Sequence, residues 1–283
     1  MLPGLSGRVP ETPDAPRLDV LIPTRNRPVE LATTLSGLAA QDHPSFRVVV
    51  SDQSDDTPSY DTPAARSVAR VLGLRGVPVL FARNLPRRGM AQQRAHLLSR
   101  ARAAHVLFLD DDVWLEPGTL SRLHAAITRL GCGFVGAALT GLSYVDDHRP
   151  HQLEPFEEWA GPVLPEVVTR DSAAWQRWTL HNAANPLHLA QRLALAPGEW
   201  RAYKVAWVGG CVLFDRAALL DCGGFDFWPD LPAAHAGEDV RAQLAVMSRY
   251  GGAGILPSGA VHLESPTTVT DRSVEAMDVR ASP

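Results

Sequence analysis

Several things are scarce in this sequence, and each scarcity narrows the reading. There are only three cysteines, Cys132, Cys211 and Cys222. An odd count without metal-type spacing argues against a disulfide framework or a cysteine metal site and for reduced, packed thiols in a cytosolic protein. No uninterrupted apolar stretch is long enough to span a bilayer. No transmembrane segment is therefore expected, and a membrane-borne partner would be met at the surface. Neither sign of charge is in large excess: the formal net charge is -4, which gives no reason to expect nucleic acid or an anionic membrane. No fixed-period repeat is visible. The opening stretch MLPGLSGRVPETPDAPRLDV lacks an apolar core of signal-peptide length, so residues 1–16 read as a disordered lead-in.

What is present is the material of a soluble α/β protein. Hydrophobic content of 45% and charged content of 20% are ordinary for a globular chain. The 283 residues suffice for one large domain or two small ones. The most informative stretch is His105-Val106-Leu107-Phe108-Leu109-Asp110-Asp111-Asp112-Val113. An apolar run of strand length ends in three consecutive carboxylates, and such a run reads as a buried, parallel strand. The carboxyl ends of strands are where open α/β sheets bind ligands. Three like charges invite a counter-charge. A divalent cation is the economical one, since Mg²⁺ usually takes one or two carboxylates plus substrate phosphates. Hydrated acids in a turn are the plainer alternative.

Other segments fall into place around this strand. Leu18 to Pro23 reads as a first strand, followed by the polar loop Thr24-Arg25-Asn26-Arg27-Pro28 and an amphipathic helix over 29–40. Phe46 to Val50 reads as a second strand running into Asp52. Strand, helix, strand implies a parallel crossover, which brings Asp52 to the same sheet edge as Thr24 and Arg25. Alone, Asp52 reads as an Asx turn or cap. A short strand over 77–81 precedes a basic loop, Arg83 to Gly89, and a helix over 90–103. Arginines here could hold a diphosphate. Residues 141–203 are poorly periodic and carry His148, His151 and the tryptophans Trp159, Trp175, Trp178 and Trp200, which suit either sugar stacking or a core. Gly209 and Gly210 interrupt a strand-like run over 205–214. Glu238 and Asp239 open a helix, where acids are favoured by the dipole in any case.

Four segments together resemble an inverting glycosyltransferase of family 2, with the GT-A fold. They are Leu21-Ile22-Pro23-Thr24-Arg25-Asn26-Arg27, Val50-Ser51-Asp52-Gln53-Ser54, Phe108-Leu109-Asp110-Asp111-Asp112, and Gly223-Gly224-Phe225-Asp226 followed by Gly237-Glu238-Asp239. The resemblance implies a mostly parallel central sheet flanked by helices, a nucleotide-sugar donor, and Mn²⁺ or Mg²⁺ as cofactor. It implies that Pro23, Thr24 and Arg25 border the base and ribose, that Asp52 binds the base, and that Asp110 and Asp111 belong to the donor site. Asp112 would ligate the metal, with His262 as an additional ligand. Asp239 would be the catalytic base with Glu238 as its neighbour. Gly89 and Arg94 match a glycine and an arginine of a further segment, although Gln93 and Ala95 depart from its usual pattern.

The expected organisation is one domain over 17–266. It comprises a nucleotide-sugar half (17–140), an acceptor-side insertion (141–203) and an acceptor and catalytic half (204–266), followed by a mobile tail over 267–283. The expected acceptor is a saccharide or a lipid-linked one, as in polysaccharide biosynthesis, and the expected place is the cytoplasm or the membrane periphery. UDP is the first choice of nucleotide, with GDP and dTDP open. A sugar nucleotidyltransferase would also use strand-end acids and metal, but Pro23-Thr24-Arg25-Asn26 is no Gly-rich phosphate loop. A non-catalytic protein of the same fold would be expected to lack the key acids, which are present.

Overall fold

The computed structural model describes residues 17–43 and 45–279. The expected lead-in, 1–16, and the end of the tail, 280–283, lie outside them. The strands are β1 (Leu18–Thr24), β2 (Phe46–Asp52), β3 (Val79–Arg83), β4 (His105–Leu109), β5 (Val113–Leu115), β6 (Phe134–Gly136), β7 (Thr140–Gly141), β8 (Arg201–Tyr203), β9 (Cys211–Asp215), β10 (Gly252–Leu256) and β11 (Ala260–His262). The helices are α1 (Pro28–Ala39), α2 (Pro63–Leu74), α3 (Met90–Arg100), α4 (Thr119–Leu130), α5 (Asn185–Leu193), α6 (Arg216–Asp221) and α7 (Glu238–Tyr250).

Eight strands form one sheet in the order β3-β2-β1-β4-β9-β6-β10-β8. β1 to β4 are mutually parallel where they pair, and β9 and the edge strand β8 run against the rest. Every residue of β1 is buried, as expected of a strand covered on both faces. Leu18, Val20 and Ile22 point into one core, with Leu31, Leu35 and Leu38 of α1 and Leu120 and Leu123 of α4. Leu21 points into the other, with Leu97 of α3 and Val246 of α7. Asp19, buried in this strand, is matched by the Arg47 fork at 2.8 Å to each oxygen.

Two details of this architecture position the site. Thr24 and Asp52 pair in register at the ends of β1 and β2, beside the loop that follows β4. A second, three-stranded sheet has the order β5-β11-β7, and its register sets His262 opposite Val113. Leu263 N–H then donates to the Asp112 carbonyl at 2.9 Å. This pairing carries a histidine to the acid triplet across a long stretch of chain.

The expected run over 205–214 divides. β9 begins only at Cys211, after Gly210 turns with φ +72. The loosely patterned stretch 141–203 contains α5 and a 3₁₀ helix over Ala173–His181, and buries Leu180, Leu189 and Tyr203 in the second core. Residues 267–279 of the expected tail lie against the chain around Ala236 and Ala91. Ala236 N–H donates to the Val274 carbonyl and Ala276 N–H to the Ala236 carbonyl, at 3.0 and 2.8 Å. Ala276 is buried against Ala91 and Leu231.

Candidate active site

The acid triplet follows β4 with its backbone fixed at the start. Asp110 N–H donates to the Gly210 carbonyl at 2.9 Å. Gly210 turns with φ +72, a conformation that L side chains rarely adopt, so this position favours glycine. The three carboxylates then diverge. Asp110 accepts from Arg94 Nη2 at 3.1 Å. Asp111 accepts from Thr24 Oγ1 at 2.6 Å and from Arg27 Nη1 at 3.1 Å. Asp112 accepts from the same Arg27 nitrogen at 2.6 Å through Oδ2, which also lies 3.4 Å from His262 Nε2.

On the far side, α7 opens with Gly237 in the left-handed region, φ +75, and places Glu238 and Asp239 in its first turn. Arg94 is buried on α3 and reaches both sides. Its Nε donates to Glu238 at 3.0 Å while its Nη2 holds Asp110. The guanidinium also lies over the Phe108 ring, 5.5 Å from its centre. Together these groups line one cavity of about 530 Å³, shared by Pro23, Arg27, Arg94, Asp110, Asp111, Asp112, Glu238, Asp239 and His262. A smaller cavity of about 210 Å³ shares Met90, Thr268 and Val269 with it, and is lined by Arg25, Gln53, Arg87, Gln93 and His235.

Burial raises the carboxyl of Asp110, against the opposing charge of Arg94. Asp111 is pushed up to about 7 by burial, despite its bonds to Thr24 and Arg27. Burial alone would raise Asp112 too, but His262 and Arg27 outweigh it and hold this carboxyl below the usual range. Its hydrogen bond with Asp112 raises the His262 imidazole in turn. Asp239 is pushed up to about 7, by burial first and by the Glu238 charge second. Burial alone would lower Arg94, yet Asp110, Glu238 and Asp239 together raise it.

Asp52 is fully buried, and its oxygens accept the N–H groups of Ser54 and Ser59, each at 2.6 Å. Its neighbour Gln53 lines the smaller cavity. Arg25 also lines that cavity and pairs with the exposed Asp55 at 2.9 Å. Gly89, with φ +94, sits where a Cβ would be 2.6 Å from the His235 ring. Gln93, the departure from the family's usual segment, ties two strand ends: its Nε2 donates to the carbonyls of Thr24 and Ser51 at 3.0 and 2.6 Å. His148 stacks on His188 away from the cleft.

Sequence reasoning missed Arg27, Trp207 and the tail residues Arg272 and Glu275, all of which line the larger cavity. Trp175, one of the candidate stacking tryptophans, packs on Trp207 with ring centres 4.7 Å apart. Arg27 carried one signal, its place in the same polar loop as Thr24 and Arg25.

The residues also bear on a metal. Asp112 and His262 offer an oxygen and a nitrogen facing each other, a mixed donor pair that suits Mn²⁺ better than Mg²⁺, which takes oxygen ligands. Among the described residues no group of three His, Cys, Asp or Glu side chains could hold an ion alone. The pair therefore fits a cation whose remaining ligands come from substrate phosphate and water.

No curated protein sequence matches the chain. Among solved structures, S. aureus TarS 1-349 superposes with a TM-score of 0.54 at 16% identity, over 87% of this chain and 60% of that one. The same protein in complex with UDP-GlcNAc gives 0.54 at 17% identity, over 89% and 60%. The chain thus spans about 60% of the length of these structures, and at such identity the likeness is one of fold, GT-A. The sequence profile described as glycosyl transferase family 2 matches residues 19–196, more than half of the chain. That match ends before Glu238, Asp239 and His262, which the fold brings to the cleft. The chain belongs to glycosyl transferase family 2.

Proposed function

We propose that the protein moves a hexosyl group from a nucleoside-diphosphate donor to an acceptor hydroxyl with inversion, using Asp239 as general base. The observation that carries this reading is the shared cavity in which Asp110, Asp111 and Asp112 face Glu238 and Asp239. In it, Asp239 is pushed up to about 7. A base effective near neutral pH needs such a value.

The roles divide by what each side chain already holds. Glu238 is committed to Arg94, so it orients the start of α7 and leaves proton transfer to its neighbour. Asp239 takes the acceptor proton as the hydroxyl attacks the anomeric carbon from the face opposite the diphosphate. Asp112 and His262 would hold the divalent cation, which when bound neutralises charge on the departing diphosphate. Arg25, Gln53 and Asp52 belong to the base end, with Asp52 bracing the loop from below. The tail residues Thr268 and Val269, which line both cavities, close the donor from solvent. UDP is the preferred nucleotide, supported by the UDP-GlcNAc complex of TarS, a protein of the same fold. The acceptor is a saccharide, free or lipid-linked, entering beside Trp207.

A thermal-shift panel tests the reading. UDP, GDP and dTDP are each added with and without Mn²⁺ or Mg²⁺, since a ligand that binds only the folded state raises apparent stability by mass action. We expect UDP to stabilise most, and more with metal. No shift with any nucleoside diphosphate would refute a donor site.

A further inference from the structure

Arg27 stands where a cation would. The residue is 9% exposed, and its guanidinium holds three acceptors. Nη1 donates to Asp111 and to Asp112 Oδ2, and Nη2 donates to the Pro266 carbonyl. The Asp112 oxygen it occupies, at 2.6 Å, is the same atom that faces His262 Nε2. A divalent ion lying between Asp112 Oδ2 and His262 Nε2 must therefore approach an oxygen already bonded to a buried positive charge.

We propose that Arg27 is a resident counter-cation that keeps Asp112 closed to a divalent ion until a diphosphate draws the guanidinium away. The inference rests on the assignment of the cation to Asp112 and His262, and deepens it. Without a ligand, the triplet needs a positive charge, because buried like charges repel and unpaired buried carboxylates are costly. Arg27 supplies that charge from within the chain. A diphosphate in the same cavity offers the planar guanidinium a charge-assisted set of acceptors. Once Arg27 turns to it, the Asp112 oxygen is free and the metal can enter. Metal and diphosphate should then bind as a coupled pair, with little metal binding by the protein alone. Arg27 is a positioning residue in this scheme, acting on the order of binding.

The test is titration of the full chain with Mn²⁺ alone, with no nucleotide, followed by calorimetry or by the paramagnetic resonance signal of free Mn²⁺. Wild type should bind weakly. Arg27→Gln should bind Mn²⁺ at least about tenfold more tightly, within the usual range of coupling between sites. A merely structural role could not produce that gain, because loosening a site weakens its metal. Arg27→Lys keeps the charge and should stay near wild type. A folded Arg27→Gln with unchanged or weaker Mn²⁺ binding overturns the proposal. So does an Arg27→Lys that tightens as much as Arg27→Gln. If Arg27→Gln does not fold, Arg27→Met takes its place in the same titration with the same expected gain, and micromolar Mn²⁺ binding by wild type without nucleotide overturns the proposal. Failure of the donor reading would look different, as absence of UDP binding in every variant while Arg27→Gln still gains Mn²⁺ affinity.

Discussion

Replacing Asp239 with asparagine should abolish transfer and change how stability depends on pH. Loss of a positioned base should reduce kcat by about 10²–10⁴-fold, while UDP affinity stays within a few-fold of wild type. The stability effect follows from the raised carboxyl. Asp239 binds its proton more tightly in the folded chain, at about 7, than at its ordinary value of 3.8. Its contribution to stability is therefore complete below the unfolded value and is lost as pH rises through about 7. Asparagine has no such dependence. Between about pH 5 and pH 8, the stability of wild type relative to Asp239→Asn should fall, with a ceiling of roughly 3 kcal/mol. Sharing of the proton between Asp239 and Glu238, and partial solvent access, reduce the expected fall to about 1–2 kcal/mol. Urea unfolding of both proteins at the two pH values measures it, and the acid limb of the wild-type rate profile should break near the same pH. A flat difference in stability, with a rate profile unbroken down to pH 5, would refute the assignment.

Three further outcomes are expected. Glu238→Gln leaves the buried Arg94 short of one carboxylate and should destabilise the chain by about 3 kcal/mol or more, read by denaturant midpoint. Gly89→Ala forces a side chain into φ +94 and within 2.6 Å of the His235 ring, so it should cost more than about 1 kcal/mol in the same assay. At the other end of the sheet, His43 is lowered to about 4 by burial first and by His124 second. The stability it contributes is present above the ordinary histidine value of 6.5 and is lost as pH falls through about 4. His43→Gln should flatten stability between those values, as followed by thermal unfolding across that range.

Much of this site could be read from the chain because apolar runs that stop at an acid are informative about sheets. β4 with its three carboxylates and β2 ending at Asp52 follow from that pattern, α7 opening on Glu238 and Asp239 follows from the preference for acids at a helix start, and the parallel register of β1 with β2 makes Thr24 and Asp52 neighbours. What stayed hidden depends on backbone. The strap over 267–279 has few apolar residues. It is held by main-chain bonds among Ala236, Val274 and Ala276 and by Arg241 Nη1, which donates to the carbonyls of Ala276 and Val279, and bonds to backbone leave no periodic trace. Arg25 and Arg27 are alike in sequence. Only the turn into α1 decides that Arg27 faces the acids while Arg25 meets Asp55.

Two buried arginines also sort the five carboxylates of the acid triplet and the start of α7. Arg27 joins Asp111 and Asp112, and Arg94 joins Asp110 and Glu238. The fifth, Asp239, receives no side-chain hydrogen bond among the described residues, only the backbone N–H of Val240. Asp111 is also pushed up to about 7, so proton affinity alone does not choose between them. Geometry does, because both Asp111 oxygens are engaged, one by Thr24 and one by Arg27, and an acceptor hydroxyl would have to displace one of them. Asp239 opens into the cavity with its oxygens free of such partners. It follows that Asp111→Asn should leave the pH near which the rate profile breaks unchanged even if the rate falls, whereas no break near neutral pH can survive Asp239→Asn.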